Sequence, residues 1–177
     1  MKKMMLTLAA CLLLATAPAM AADQFPDLVL KGQISPEHRA YLAAPEGEFS
    51  VADIRADFLL VEVFSMYCPI CQREAPAVNR MFVEATASDK GERIRFIGIG
   101  VGNTPFEVEF YRKKYGVEFP IFEDPDYVVH KALGEIGTPA YYLVDLREGQ
   151  REILFFHEGE IPDKDVFLKT VLDKTGR

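Results

Sequence analysis

Two cysteines three positions apart, Cys68-Pro69-Ile70-Cys71, follow the apolar run Phe58-Leu59-Leu60-Val61-Glu62-Val63-Phe64. They open a helical pattern with apolar residues at Cys71, Ala75, Val78 and Phe82. The first sulfur then stands where a strand stops and a helix starts. Unpaired backbone N–H groups and the positive end of the helix dipole favour a thiolate there, and the thiolate is the species that attacks disulfides. The pair reads as a redox dithiol. A structural disulfide is a poorer use of it, because so small a ring restrains the unfolded chain by about 2 kcal/mol, against roughly 4.7 for a 100-residue loop. Zinc wants four ligands, and the three histidines, His38, His130 and His157, show no His-x-x-x-His spacing. Covalent haem attachment needs a histidine directly after the second cysteine, where Gln72 stands. Neither a metal nor a cofactor is expected.

Two carboxylates are close to the motif in sequence. Glu62 interrupts the apolar run six residues before Cys68. Buried there, its pKa would rise until it could carry a proton for Cys71 near neutrality; at a strand end it would simply reach water. Glu74, three residues after Cys71, is either a second functional acid or a charge on a solvated helix face.

The rest of the chain must position these groups. Lys2 and Lys3, an apolar stretch from Leu6 to Ala17 and Ala19-Met20-Ala21 form a secretory leader with a small-x-small cleavage site. The third cysteine, Cys11, belongs to that leader. Leu8-Ala9-Ala10-Cys11 also has the form of a lipoprotein box, but the apolar stretch before it is short and more follows it, so anchoring through Cys11 is the lesser reading. Export implies a periplasmic or secreted protein in an oxidising compartment. The expected division is a signal peptide at 1–21, a lead-in at 22–48 and one domain at 49–177. The formal charge of −7 becomes −9 once Lys2 and Lys3 are removed. No basic cluster suggests nucleic acid, and no later apolar stretch is long enough to span a bilayer.

Within the lead-in, Ser35-Pro36 starts a short helix that Pro45-Glu46-Gly47 breaks. A brief strand is expected at 49–51, a buried central strand at 58–64, and the cysteine helix to 87, kinked by Pro76. A strand at 94–101 ends in Gly98, Gly100 and Gly102. Asn103 denies it the third glycine of a dinucleotide loop, so the glycines mean close packing or a turn. Thr104-Pro105-Phe106-Glu107 is a capping box opening a helix that ends at Gly116. A strand at 119–122 and a short helix at 126–133 follow. Strands at 140–145 and 152–157 form a hairpin over Glu148-Gly149. The closing helix at 162–174 is expected to bury Val166, Phe167, Thr170 and Val171. The order indicates an α/β fold, a central mixed sheet with helices on both faces.

Over 49–177 the chain resembles the thioredoxin superfamily. The likeness rests on the strand–CxxC–helix unit with Pro76 five residues after Cys71, on Gly137-Thr138-Pro139 before a strand, and on the terminal hairpin and helix. Within that superfamily it is most similar to exported TlpA/ResA-type thiol–disulfide oxidoreductases. They share the C-x-x-C-x-x-E-x-P pattern, here Cys68 to Pro76, and a separation of 68 residues between Cys71 and Pro139 leaves room for their extra helix and strand. The approach Phe64-Ser65-Met66-Tyr67-Cys68-Pro69 is closer to DsbA-type oxidases, with Tyr67 where many thioredoxins have tryptophan.

The resemblance implies a thioredoxin-like fold in which Cys68 attacks, Cys71 resolves, Glu62 is the buried acid, and Glu74 belongs to the motif. It implies a cis Thr138–Pro139 bond whose exposed backbone pairs with substrate, with Tyr67 on the rim. It implies disulfide-containing exported proteins as substrates and a membrane thiol electron donor. The competing functions are a DsbA-like oxidase, a peroxiredoxin-type peroxidase, for which Ser65 would replace the usual threonine, and a Sco-like copper-handling protein, which would carry C-x-x-x-C and a distal histidine.

Overall fold

The computed structural model describes residues 24–176, so the leader, its cleavage site and Cys11 lie outside the described residues. The elements in chain order are β1 (Val29–Leu30), α1 (Pro36–Leu42), β2 (Phe49–Ser50), β3 (Phe58–Phe64), α2 (Pro69–Ala87) and β4 (Ile94–Val101). They continue with α3 (Pro105–Tyr115), β5 (Ile121–Asp124), α4 (Val128–Ala132), β6 (Ala140–Asp145), β7 (Glu152–Glu158) and α5 (Lys164–Lys174). Five strands form one sheet in the order β5-β4-β3-β6-β7. The β3–β4 and β4–β5 pairs are parallel, while β3–β6 and β6–β7 are antiparallel. β3 is central and all seven of its residues are buried, as expected of a strand covered on both faces.

Both crossovers, β3-α2-β4 and β4-α3-β5, step the same way along the sheet. Right-handed connections therefore put α2 and α3 on one face. That face buries Phe58, Leu60, Phe64, Cys71, Val78, Val108, Tyr111 and, from α5, Phe167, Leu168 and Val171. The opposite face is covered by α4 and by the N-terminal segment, whose Phe25, Leu28, Leu30, Leu42, Phe49 and Val51 pack on Val61, Val63, Ile97 and Ile99. Residues before 49 thus supply one layer of the same packed unit. The N-terminal segment also covers an edge: where β5 stops short, the Tyr41 hydroxyl accepts the Phe96 N–H at 2.9 Å.

Four local expectations shift. β5 starts at Ile121 and not at 119, because Pro120 has no N–H for the ladder; its carbonyl accepts the Gly98 N–H instead. α4 begins after Tyr127, which is left-handed (φ 58°), and the Asp124 carboxylate accepts the Val129 and His130 N–H groups. α5 begins at Lys164 because Asp163 caps it, accepting from Asp165 and Val166. It buries Phe167, Leu168 and Val171, whereas Val166 is exposed and Thr170 only half-buried.

Candidate active site

The turn from β3 into α2 is held from both sides. Asn103, at the end of β4, accepts the Met66 N–H at 2.9 Å, and Gln72 donates to the Met66 carbonyl at 2.6 Å. The Cys68 N–H reaches the Ser65 carbonyl at 3.0 Å. Cys68 is therefore delivered as the N-cap of α2, in extended conformation, with Pro69 at the first helical position. Its Sγ accepts the Cys71 N–H at 3.3 Å, the bond a helix start offers an anion. It also donates to the Thr138 carbonyl at 3.2 Å, which brings residues 68 and 138 together. The Thr138–Pro139 peptide is cis, and the Pro139 carbonyl is occupied by the Gly159 N–H at 2.8 Å.

The two free thiols are unequal. Partial burial works to raise the Cys68 pKa, but hydrogen bonds from Cys71, from the Thr138 side chain and from the Ile70 backbone together hold it below the ordinary thiol value. Cys71 is fully buried, and burial, its hydrogen bond with Cys68 and the neighbouring charges push its thiol well up. Cys68 is the sulfur that ionises first and can be reached.

Glu62 lies in β3 opposite Gly98 of β4 and Tyr141 of β6. It is only 4% exposed, and its Oε1 has no hydrogen-bond partner. Burial, followed by repulsion from Glu74, raises its pKa from 4.5 to about 8. Its charge in turn adds a minor contribution to raising Cys71. Gly98 keeps this layer closed: a Cβ there would stand 2.6 Å from Ile121 Cγ2 and 3.2 Å from the Phe64 ring.

Glu74 is not on a solvated helix face. It is 2% exposed. Its carboxylate accepts the Tyr141 hydroxyl at 2.9 Å, the Ile161 N–H at 2.8 Å and the Lys164 ammonium at 2.7 Å. It clamps α2 to β6 and to the start of α5, one turn below Cys71. Tyr67 is 65% exposed beside Cys68, and its hydroxyl donates to the Glu107 carboxylate of α3. Two further residues complete the arrangement. Asn103 holds the turn, and its only sequence signal is its place after the glycines that end β4. Tyr111 stacks on Phe64 with centroids 4.4 Å apart and donates to the Cys71 carbonyl at 3.0 Å; nothing local in the sequence marks it.

The three histidines each bond a backbone carbonyl, His38 that of Glu118, His130 that of Ile136 and His157 that of Glu160. Among the described residues, no three or more histidine, cysteine, aspartate or glutamate side chains group to hold a metal, and no helix is long and apolar enough to cross a membrane.

A family model described as "AhpC/TSA family" matches residues 21–159. Among curated proteins, the chain is 24% identical over 129 residues to the "Thiol-disulfide oxidoreductase ResA" of Geobacillus thermodenitrificans, covering 73% of this chain and 66% of that protein. It is 22% identical over 95 residues to the protein of the same name from Bacillus subtilis, covering 54% and 51%. The chain thus spans about two thirds or less of these relatives' length. Among solved structures, a putative thiol:disulfide interchange protein DsbE from Chlorobium tepidum superposes with a TM-score of 0.67 at 19% identity, over 86% of this chain and 96% of that one. A secreted Mycobacterium tuberculosis disulfide oxidoreductase described as homologous to DsbE gives 0.59 at 17% identity, over 72% and 89%. These neighbours share the thioredoxin-like fold.

Proposed function

Since the chain belongs to the AhpC/TSA family and sets two unequal thiols at a helix start beside the Thr138–Pro139 loop, we propose that it is a thiol–disulfide oxidoreductase that reduces the disulfides of exported proteins. The observation that carries this reading is the contrast between Cys68, accessible and held low, and Cys71, buried and pushed up. The Cys68 thiolate attacks one sulfur of the substrate disulfide; a Cys68–substrate disulfide forms and the other substrate thiolate leaves. Cys71 then gives up its proton, with Glu62 as the acceptor when ionised, and attacks Cys68 Sγ. The second substrate thiolate leaves, the Cys68–Cys71 disulfide remains, and two electrons have passed to the substrate. Glu74 acts by position, fixing α2 beneath the dithiol and adding to the repulsion that keeps Glu62 protonated. The Thr138–Pro139 loop, through the Thr138 backbone, and the Tyr67 ring receive the substrate segment.

The reducing direction is supported by the Pro69-Ile70 dipeptide, which carries no imidazole to stabilise the thiolate further. Less stabilisation of the reduced form means a lower potential. The curated relatives named thiol–disulfide oxidoreductases point to the same chemistry. With the leader read at 1–21 the setting is the periplasm or the exterior, so re-reduction requires a membrane thiol donor, since that compartment keeps no reducing buffer. Trapping tests the roles. Cys71→Ser should accumulate mixed disulfides with substrate proteins on non-reducing gels, and Cys68→Ser should not; the opposite pattern overturns the assignment. Turnover of insulin disulfides, without peroxide consumption or copper binding, separates the reading from a peroxidase and a copper carrier.

A further inference from the structure

Helix α3 turns one face inward, with Val108 and Tyr111 in the core. Its outward face carries Phe106, 78% exposed, and Phe110, one turn on and also exposed. The turns before α2 and α4 add Tyr67 and Tyr127, and α4 adds its first residue, Val128, all exposed. These five make up most of the exposed large apolar side chains among the described residues. Contacts join them. The Tyr67 hydroxyl bonds Glu107, between the two phenylalanines in sequence. The Tyr127 hydroxyl lies over the β4–α3 turn, against the place where a Gly102 Cβ would stand. Single exposed apolar residues are ordinary, but a contiguous group beside a reactive atom marks a binding surface.

We propose that this aromatic face of α3, with Tyr67 and Tyr127, docks the oxidoreductase's substrate, and that the substrate is a polypeptide disulfide with large apolar residues next to its cysteine. The inference rests on the dithiol function proposed above. Covalent chemistry selects the occupant. In the mixed disulfide the partner's sulfur sits about 2.05 Å from Cys68 Sγ. Its flanking residues, spaced roughly 3.3–3.6 Å apart along an extended chain, must then lie on the surface next to Cys68. On one flank that surface is the Thr138 backbone; on the other it is Tyr67 and, through Glu107, the first turn of α3. The backbone flank offers hydrogen bonds indifferent to sequence, and the aromatic flank offers selectivity for apolar side chains.

The test is single-turnover oxidation of the reduced full chain by three probes. Two are short synthetic peptides with one intramolecular disulfide and either Phe-Leu or Ser-Ser beside one cysteine; the third is glutathione disulfide. The wild type should react with the Phe-Leu peptide about tenfold faster than with the Ser-Ser peptide, the scale of a modest apolar contact. Phe106→Ser/Phe110→Ser, and to a lesser degree Phe106→Ser alone, should erase that preference while the glutathione rate stays within about twofold. A preference that survives in both variants overturns the proposal. So does an equal loss with glutathione disulfide, which would mean the dithiol itself was disturbed. A wild-type dimer that the double variant converts to monomer would assign the face to a second copy and overturn it too. If no probe oxidises the wild type, the dithiol function beneath the proposal fails instead.

Discussion

Replacing Glu62 by glutamine should change how stability depends on pH. Glu62 is buried in β3 with one carboxylate oxygen unpartnered, and burial with repulsion from Glu74 raises its pKa from 4.5 to about 8. The folded protein keeps a proton that the unfolded chain releases. The stability tied to that proton is fully present below pH 4.5 and is lost as the pH rises through about 8. Within that window the slope is about 1.4 kcal/mol per pH unit. Glutamine fills the same space and cannot ionise. Urea unfolding of the reduced proteins, at half-unit steps from about pH 5 to pH 8, cancels the titrations that do not involve Glu62 when the variant is compared with the wild type. The variant should gain roughly 3–4 kcal/mol on the wild type across that range. A difference that does not change with pH would refute the burial of an unpaired acid. A difference growing toward acid would mean that Glu62 is held ionised.

Alkylation by iodoacetamide should modify Cys68 at a pH below that at which an ordinary cysteine reacts, while Cys71 stays protected until the chain unfolds; mass mapping after a short pulse decides, and equal labelling would contradict the inequality of the thiols. Glu74→Ala removes the common acceptor of Tyr141, Ile161 and Lys164 and should cost roughly 3 kcal/mol in urea unfolding; a loss under about 0.5 kcal/mol would show the clamp to be idle. Gly98→Ala drives a Cβ toward Ile121 and should cost about 1–3 kcal/mol through overpacking, seen as a lowered Tm with the redox potential unmoved.

Local pattern determined much of this protein. The run at 58–64, the helix to Ala87 and the capping box at Thr104 stand where their periodicity and end signals put them. So does Cys68 at a helix start, because strand period, helix period and caps are encoded within a few residues. Glu62 was legible for the same reason, as the one acid within an otherwise apolar run. Which stripe of α5 faces inward was not: Val166 with Thr170, and Phe167 with Leu168 and Val171, are both spaced for a helix face, and only the packing of α5 on the sheet chooses between them. The role of Glu74 was equally out of reach, since its partners are 67, 87 and 90 residues away. Tyr111 and Asn103 serve the dithiol only because α3 and the end of β4 are folded against it. Sequence near a residue determines what it can do chemically and which element carries it. Burial, which raises Glu62 and Cys71, and long-range hydrogen bonds, which clamp Glu74, depend on what the rest of the chain brings against that element, and only tertiary structure decides that.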